Sequence, residues 1–170
     1  YTASFELVSS LKSNQIEKIF ERIEANLSEM SESQTVQDAV TELEYWDPEV
    51  SPFIFDSLGN KLDTFFLPKQ TLFEYDDILI ANMSEKTIYT LNKALDPKVG
   101  TKFLRFSELF TDLKDSITNN PNQPGILFGE PYRLGEEVAM FVAHPIIVEG
   151  RVKGLLIARF NMSEHIYPIV

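Results

Sequence analysis

Residues 136–161 constrain this chain most, because they contain two long apolar segments joined by a short turn at residues 148–151. The first segment covers residues 138–147 and the second covers residues 155–160, and neither alternates apolar with polar positions. Continuous apolar runs bounded by Gly and Pro are typical of strands that are covered on both faces. We therefore predict that these segments form the centre of a sheet, and that the rest of the chain covers it.

The composition indicates one globular domain, since 170 residues with 44% apolar and 12% aromatic side chains can bury a substantial core. A net charge of −11 gives no basic surface for nucleic acid or for an anionic membrane, so neither is expected as a partner. The absence of Cys excludes disulfides, thiolate zinc sites and a thiol nucleophile. No cofactor or metal is predicted.

The first 44 residues predict two helices. Apolar positions with mostly three-four spacing run from Ser4 to Met30 and favour one amphipathic helix of roughly 40 Å, longer than a domain of this size needs. Such a helix must project or pack on a partner. A second, shorter helix follows, with Thr35 and Asp38 spaced as a capping box, and residues 46–48 end it.

Residues 51–66 predict a β-hairpin, because Gly59 and Asn60 separate two apolar segments and allow the positive φ of a tight turn. Pro68 closes this hairpin in our interpretation. The spacing of apolar residues between Ile78 and Leu95 then favours two short helices divided near Ser84.

The last third of the chain predicts a helix, a loop and three strands. Residues 103–106 form a short strand or an extended lead-in, after which Ser107 caps a helix. Residues 119–125 form a loop, a short strand covers residues 126–128, and a turn at residues 129–132 precedes the central pair. Ser163 caps a final helical turn over residues 164–170.

This order predicts an α+β fold in which a long N-terminal helix packs on a mainly antiparallel, PAS-like sheet of about five strands, with covering helices on the other face. The whole chain, 1–170, is expected to be one domain. Its parts are N-terminal helices at 1–44, an α/β core at 51–162 and an exit helix at 163–170 that leads toward a membrane segment.

Three stretches resemble the Cache family, the PAS-like sensor domains of bacterial and archaeal transmembrane receptors. They are the long helix before any strand, the segment 53–60 and the C-terminal pattern formed by residues 129–132, 142–146 and 150–156. The resemblance spans nearly the whole chain as a single copy. The stretch 67–102 has no counterpart in the family, and the tryptophan, arginine and aspartate pattern of amino-acid-binding Cache domains is absent, which argues against an amino-acid ligand.

The resemblance implies an extracytoplasmic ligand-sensing domain of a histidine kinase, a chemoreceptor or a cyclic-dinucleotide enzyme. It also implies that membrane helices flank the domain, and the two chain ends support the same expectation. The ligand that it implies is a small molecule such as a small carboxylate. The segment that contains Tyr132 enters the pocket wall in that family.

Candidate ligand-binding residues are arginines that can clamp a carboxylate, a histidine that can bind an anion, and aromatic or apolar side chains that can line a cavity. They are Arg105, Tyr132, Arg133, Phe141, His144, Tyr89, Phe110 and Met140. His144 also fits a core histidine bonded to the backbone. Arg159, in the second central strand, is expected to pair with a helix glutamate more readily than with a ligand.

Catalysis has little support, because two histidines without metal-ligand spacing and no nucleotide-binding or nucleophile motif are present. The adjacent carboxylates Asp76–Asp77 and Glu136–Glu137 fit solvated turns. We therefore predict a protein that is not an enzyme.

The apolar stripe of the long helix either covers the sheet or forms a homodimer with a second copy. The alternative function is a ligand-free PAS-like or GAF-like dimerisation and interaction module, and a small hydrolase or isomerase built around His144 is the third hypothesis.

Overall fold

The computed structural model describes residues 2–46, 54–94, 99–102, 104–121 and 124–169, with side chains at 2–9, 54–56 and 104–105 outside that description. Five helices are found in these ranges: α1 (Thr2–Ser31), α2 (Gln34–Glu42), α3 (Ile54–Phe73), α4 (Leu104–Asn119) and α5 (Met162–His165). The strands are β1 (Asp77–Asn82), β2 (Thr87–Thr90), β3 (Leu127–Phe128), β4 (Tyr132–Leu134), β5 (Glu137–Val148) and β6 (Arg151–Asn161).

The sheet has six strands in the order β2-β1-β6-β5-β3, and β4 pairs with β5 beside β3. Every pairing is antiparallel. The α+β fold, the long first helix and the central position of β5 and β6 are therefore confirmed, with six strands in place of about five. Glu149 and Gly150 both have positive φ, which is the conformation that a two-residue hairpin turn between twisted strands requires.

Helices cover both faces of the sheet, and this explains why β5 and β6 do not alternate in polarity. On the α1 face, Met140, Val142, Leu156 and Ala158 pack in one core with residues of α1, α2 and α3. On the α4 face, Phe141, Ala143, Leu155 and Ile157 pack in a second core with α4.

The predicted hairpin at residues 51–66 is wrong, since residues from Ile54 onward form α3 and residues 51–53 lie outside the described ranges. Leu58, Leu62 and Phe66 recur every four residues and are buried together on the α1 face, so helical burial outweighs the turn preference of Gly59 and Asn60. Pro68 does not close a hairpin but lies within α3.

The two short helices predicted between Ile78 and Leu95 are also wrong, because this segment forms the β1–β2 hairpin. All six residues of β1 are buried, so its apolar run fits a strand between two cores and not one face of a helix. Leu95 lies outside the described residues.

Three predicted helix starts are wrong by a few residues. Ser33, and not Thr35, is the N-cap of α2, and its side chain accepts a hydrogen bond from the Val36 N–H. The α4 helix already begins at Leu104, which replaces the strand or lead-in predicted at residues 104–106 and places Ser107 within the helix. Residue 103 of that prediction lies outside the described ranges.

At the C-terminus Asn161 caps α5, while Ser163 Oγ accepts a hydrogen bond from the Val138 N–H of β5. The final helix is accordingly shorter than predicted and ends at His165. The α2 helix ends at Glu42, and Asp47 and Pro48 of its predicted stop signal lie outside the described residues. Tyr132, assigned to a turn, begins β4.

Candidate functional site

A buried arginine marks the polar end of the α4 face. Arg159 lies on β6 between Ala158 and Phe160, which both face α1, so the alternation of the strand directs Arg159 to the opposite side. Its exposed fraction is 1%. A guanidinium stays charged at any physiological pH, so this position places a permanent cation inside the domain.

Tyr132 and Phe141 form the immediate surroundings of this cation. Arg159 Nε donates a hydrogen bond of 2.9 Å to Tyr132 Oη. The guanidinium carbon lies 5.0 Å from the centre of the Phe141 ring. The rings of Tyr132 and Phe141 stack with centroids 5.3 Å apart, so the guanidinium borders an aromatic surface that is attractive to cations.

The nearest carboxylate in the described part of the chain is that of Asp77, whose Oδ2 lies 3.8 Å from Arg159 Nη1. The predicted helix glutamate is therefore the wrong partner, because β1 pairs with β6 and sets Asp77 directly opposite Arg159. The predicted solvated turn is wrong for Asp77 too, since this side chain is completely buried.

Asp77 is already bound by other groups. Its carboxylate accepts hydrogen bonds from the backbone N–H groups of Ile78 and Asn92 and from Thr90 Oγ1, all at 2.8–2.9 Å. Burial raises the pKa of Asp77, and the hydrogen bonds from Asn92 and Thr90 and the charge of Arg159 oppose that rise. Asp77 thus anchors the end of β2 and shares only a long contact with Arg159.

This arrangement suits recognition of a small anion. A guanidinium presents five N–H donors in a planar fork that matches a carboxylate. The aromatic rings provide an apolar wall, and the Tyr132 hydroxyl can both donate and accept a hydrogen bond. Electrostatic interactions are stronger in such a buried setting than in water.

The structure brings three of the predicted site residues together on the α4 face. Tyr132 and Phe141 contact Arg159, and Phe110 of α4 is buried in the same core as Phe141. The side chain of Arg105 lies outside the described residues, although its backbone belongs to the first turn of α4.

The other four candidates lie away from this cluster. Met140 and Tyr89 are buried on the α1 face. Tyr89 donates a hydrogen bond of 2.6 Å to Asp63 of α3. His144 Nδ1 lies 3.1 Å from Ser31 Oγ and 2.9 Å from the carbonyl oxygen of Pro145, and Arg133 is exposed on β4. Their roles in ligand binding stay predictions.

Sequence reasoning did not place Asp77 and Thr90 at a site, and for Arg159 it favoured a structural ion pair over a ligand contact. The signal for Asp77 was available, since an acidic residue directly before the apolar run Ile78–Ala81 continues the strand and shares its burial. The proximity of β4 and β6 side chains across β5 depends on strand order, which no local pattern contains.

The strand that carries Arg159 leads directly into α5. The Asp76 N–H donates to the Arg159 carbonyl oxygen at 3.0 Å, and two residues later Asn161 caps α5 by accepting a hydrogen bond from the Glu164 N–H. The Asn161 amide also donates to the Glu137 carboxylate at the start of β5. Arg159 and the residue that caps α5 are thus only two positions apart on the same strand.

Within the described ranges no helix is long and apolar enough to cross a membrane. No group of three or more His, Cys, Asp or Glu side chains in the same ranges could hold a metal ion.

Comparison with solved structures identifies the fold. The sensor domain of the V. cholerae histidine kinase DctB matches with a TM-score of 0.62 and 16% identity over 95% of this chain and 56% of that one. The extracellular domain of the putative histidine kinase vpHK1S-Z8 matches with a TM-score of 0.61 and 12% identity over 96% of this chain and 59% of that one. The E. coli DcuS sensor domain matches with a TM-score of 0.56 and 11% identity over 87% of this chain and 92% of that one.

This chain thus has the fold of receptor sensor domains, and the predicted Cache-like, PAS-like fold is confirmed. It spans somewhat more than half the length of the DctB and vpHK1S-Z8 structures. No protein-family model matches the sequence, and no curated protein matches it significantly.

Proposed function

We propose that this chain is the extracytoplasmic ligand-sensing domain of a transmembrane receptor and that it binds a small carboxylate at Arg159. The observation that carries the proposal is a permanent cation, 1% exposed, on a central strand of a fold shared with histidine-kinase sensor domains. The output domain is a histidine kinase, a chemoreceptor or a cyclic-dinucleotide enzyme. Membrane helices flank the domain in the complete receptor.

The ligand carboxylate pairs with the Arg159 guanidinium and with the Tyr132 hydroxyl, while Phe141 and Phe110 line its apolar part. We include Arg105, in the first turn of α4, as a second cation of this proposed site. Asp77 keeps its own three hydrogen bonds and excludes ligands that place a second anionic group toward β1.

Signal transmission follows from the connection between Arg159 and α5. A ligand that draws the guanidinium away from Tyr132 or Asp77 favours one of two arrangements of β6 and β1, and Asn161 transfers the difference to α5. The long α1 helix packs against β5 and β6 and receives the same change on the other face.

The test is thermal unfolding of this chain with a panel of small organic acids, amino acids, amines and purines. A ligand that binds only the folded state raises the melting temperature by mass action. We expect a rise with one class of carboxylate, reduced in Tyr132→Phe and Arg105→Ala and preserved in Tyr45→Phe, a matched change at a tyrosine that is 88% exposed. A rise that all three variants retain would contradict binding at Arg159.

A second function is supported by a different observation. The α4 face is filled by buried side chains of its own, including Phe106, Leu109, Phe110 and Leu113, as expected of a ligand-free dimerisation and interaction module. In that case no compound of the panel raises the melting temperature, and the chain remains a dimer on dilution.

Both functions involve a homodimer formed by the first half of α1. Residues 10–15 are exposed, Leu11 among them at 55%, whereas Ile16 is the first described residue of α1 that packs on the core. A helix that extends beyond its own sheet offers this segment to a second copy.

A further inference from the structure

A groove of about 400 Å³ lies on the α1 face, on the opposite side of the sheet from Arg159. It is lined by Glu17, Phe20, Glu21, Glu24, Phe128 and Met140. Its volume falls within the range of roughly 300–1,000 Å³ in which small-molecule sites occur. The lining residues come from α1, from β3 at the edge of the sheet and from β5.

The groove lies where the edge strand changes from β3 to β4. Phe128 pairs with Val142 and Tyr132 pairs with Ala139, so the three residues 129–131 lie opposite only two residues, Met140 and Phe141. An extra residue of this kind bends the strand that carries it. Phe128 is 44% exposed and lines the groove together with Met140.

Two aromatic rings form the apolar part of the groove. Phe20 of α1 and Phe128 meet edge to face, with centroids 5.4 Å apart and planes at 85°. Both side chains keep part of their surface in solvent. The exposed faces of aromatic rings carry partial negative charge and attract cations, including quaternary and primary ammonium groups.

Three carboxylates border the same space. Glu17, Glu21 and Glu24 are exposed and are spaced by four and three residues, which places them on one side of α1. None of them forms a hydrogen bond or an ion pair with another described residue. Like charges at this spacing repel each other, and a bound cation would relieve that repulsion. The net charge of −11 adds a long-range attraction for cations.

We propose that this groove is a second ligand site, specific for a monovalent organic ammonium ion with an aromatic or aliphatic body. The ammonium group is bound by Glu17, Glu21 and Glu24, and the apolar body lies between Phe20, Phe128 and Met140. The site is independent of the carboxylate site proposed at Arg159, because the sheet separates the two.

Calorimetric titration of the whole chain with three molecules of equal size tests the proposal. The probes are 2-phenylethylammonium, the neutral 2-phenylethanol and the anion phenylacetate. We expect one ammonium ion to bind per chain, and the neutral and anionic probes to bind at least about tenfold more weakly, since charge is the only large difference among them.

Variants locate the binding. The triple change Glu17→Gln/Glu21→Gln/Glu24→Gln should weaken the ammonium at least about tenfold, and Phe128→Ala should weaken it several-fold. Glu29→Gln is the matched control, because Glu29 is also exposed on α1 but lies outside the groove. The four glutamates are exposed, so the Glu→Gln changes should not affect folding.

Four results would overturn the proposal: no ammonium binding, equal binding of 2-phenylethanol, an equal loss in Glu29→Gln, or binding that disappears because a second copy of the chain occupies the groove. Sedimentation of the same samples identifies the last case.

Discussion

Arg159 on β6 and Tyr132 on β4 are joined by a hydrogen bond of 2.9 Å although β5 lies between their strands. The guanidinium crosses the ring of Phe141 to reach the tyrosine hydroxyl. Three neighbouring strands are thereby connected by side chains on the α4 face. A ligand that competes for Arg159 must change this connection, which makes it the first target for substitution.

Tyr132→Phe removes only the hydroxyl. We expect the free energy of unfolding to fall by about 1.5 kcal/mol, because a hydrogen bond to a charged donor is lost while the ring stack remains. Urea unfolding measures the change, with Tyr45→Phe as the control. A loss below the error of the control would show that the Arg159–Tyr132 bond contributes nothing to stability.

Arg159→Met should cost about 3 kcal/mol at neutral pH, because it leaves the buried Asp77 carboxylate without its cation. Burial already raises the pKa of Asp77, and loss of Arg159 raises it further. The folded variant therefore binds the Asp77 proton more tightly than the unfolded chain does. The difference in unfolding free energy between wild type and variant should consequently shrink as the pH falls, which urea unfolding at several pH values measures.

The double variant Asp77→Asn/Arg159→Met separates charge from packing. We expect it to recover part of the stability at neutral pH, since it contains no unpaired buried carboxylate. A double variant that is less stable than Arg159→Met alone would contradict this explanation.

Tyr89→Phe should alter the alkaline limit of stability. Burial raises the pKa of Tyr89, and its hydrogen bond to Asp63 and the charges of Asp63 and Asp77 raise it further. Above about pH 10 the unfolded chain releases this proton while the folded protein keeps it, so stability declines by up to about 1.4 kcal/mol per pH unit.

The variant should lose the Tyr89–Asp63 bond at pH 7 and show a shallower decline above pH 10, measured by urea unfolding between pH 7 and 11. Part of the decline in stability above pH 10 should remain in the variant, because burial also raises the pKa of Tyr75. An unchanged slope would show that Tyr89 ionises normally in the folded state.

Gly154→Ala should destabilise the protein by about 2 kcal/mol. A Cβ at this position would lie 2.5 Å from the Ala81 carbonyl oxygen and 3.0 Å from Val40 Cγ2, so β6 would have to move away from β1 or α2. Gly125→Ala is the control, because nothing lies within 4 Å of its Cβ position. Thermal unfolding of both variants gives the comparison, and equal melting temperatures would contradict the close contact.

Leu11→Glu tests the homodimer. We expect the dissociation constant, measured by analytical ultracentrifugation over a dilution series, to rise at least about tenfold, because a charge replaces an apolar contact between two α1 helices. Lys12→Glu changes the neighbouring exposed position and serves as the control. A monomeric wild type would contradict the dimer before any variant is made.

Those parts of the fold that depend on local periodicity and on continuous burial could be predicted from the sequence. The three-four spacing from Ser4 to Met30 can bury one stripe only as a helix, and α1 follows it. The two long apolar runs can be covered on both faces only at the centre of a sheet, and β5 and β6 occupy that centre. Among the site candidates, Tyr132 was named from the family resemblance and Phe141 as a side chain that could line a cavity.

Packing between distant segments fixed the elements that those patterns leave open. The segment with Gly59 and Asn60 became helix α3 because Leu58, Leu62 and Phe66 gain more from burial on the α1 face than the turn residues lose. Ile78–Ala81 became a strand because two cores, one on each side, require apolar residues on both faces.

The candidate site was decided in the same way. Arg159, Asp77 and Tyr132 are distant in sequence and meet only because β6 lies between β1 and β5. A local pattern encodes the face that a side chain occupies, but only the order of the strands decides which charges become neighbours.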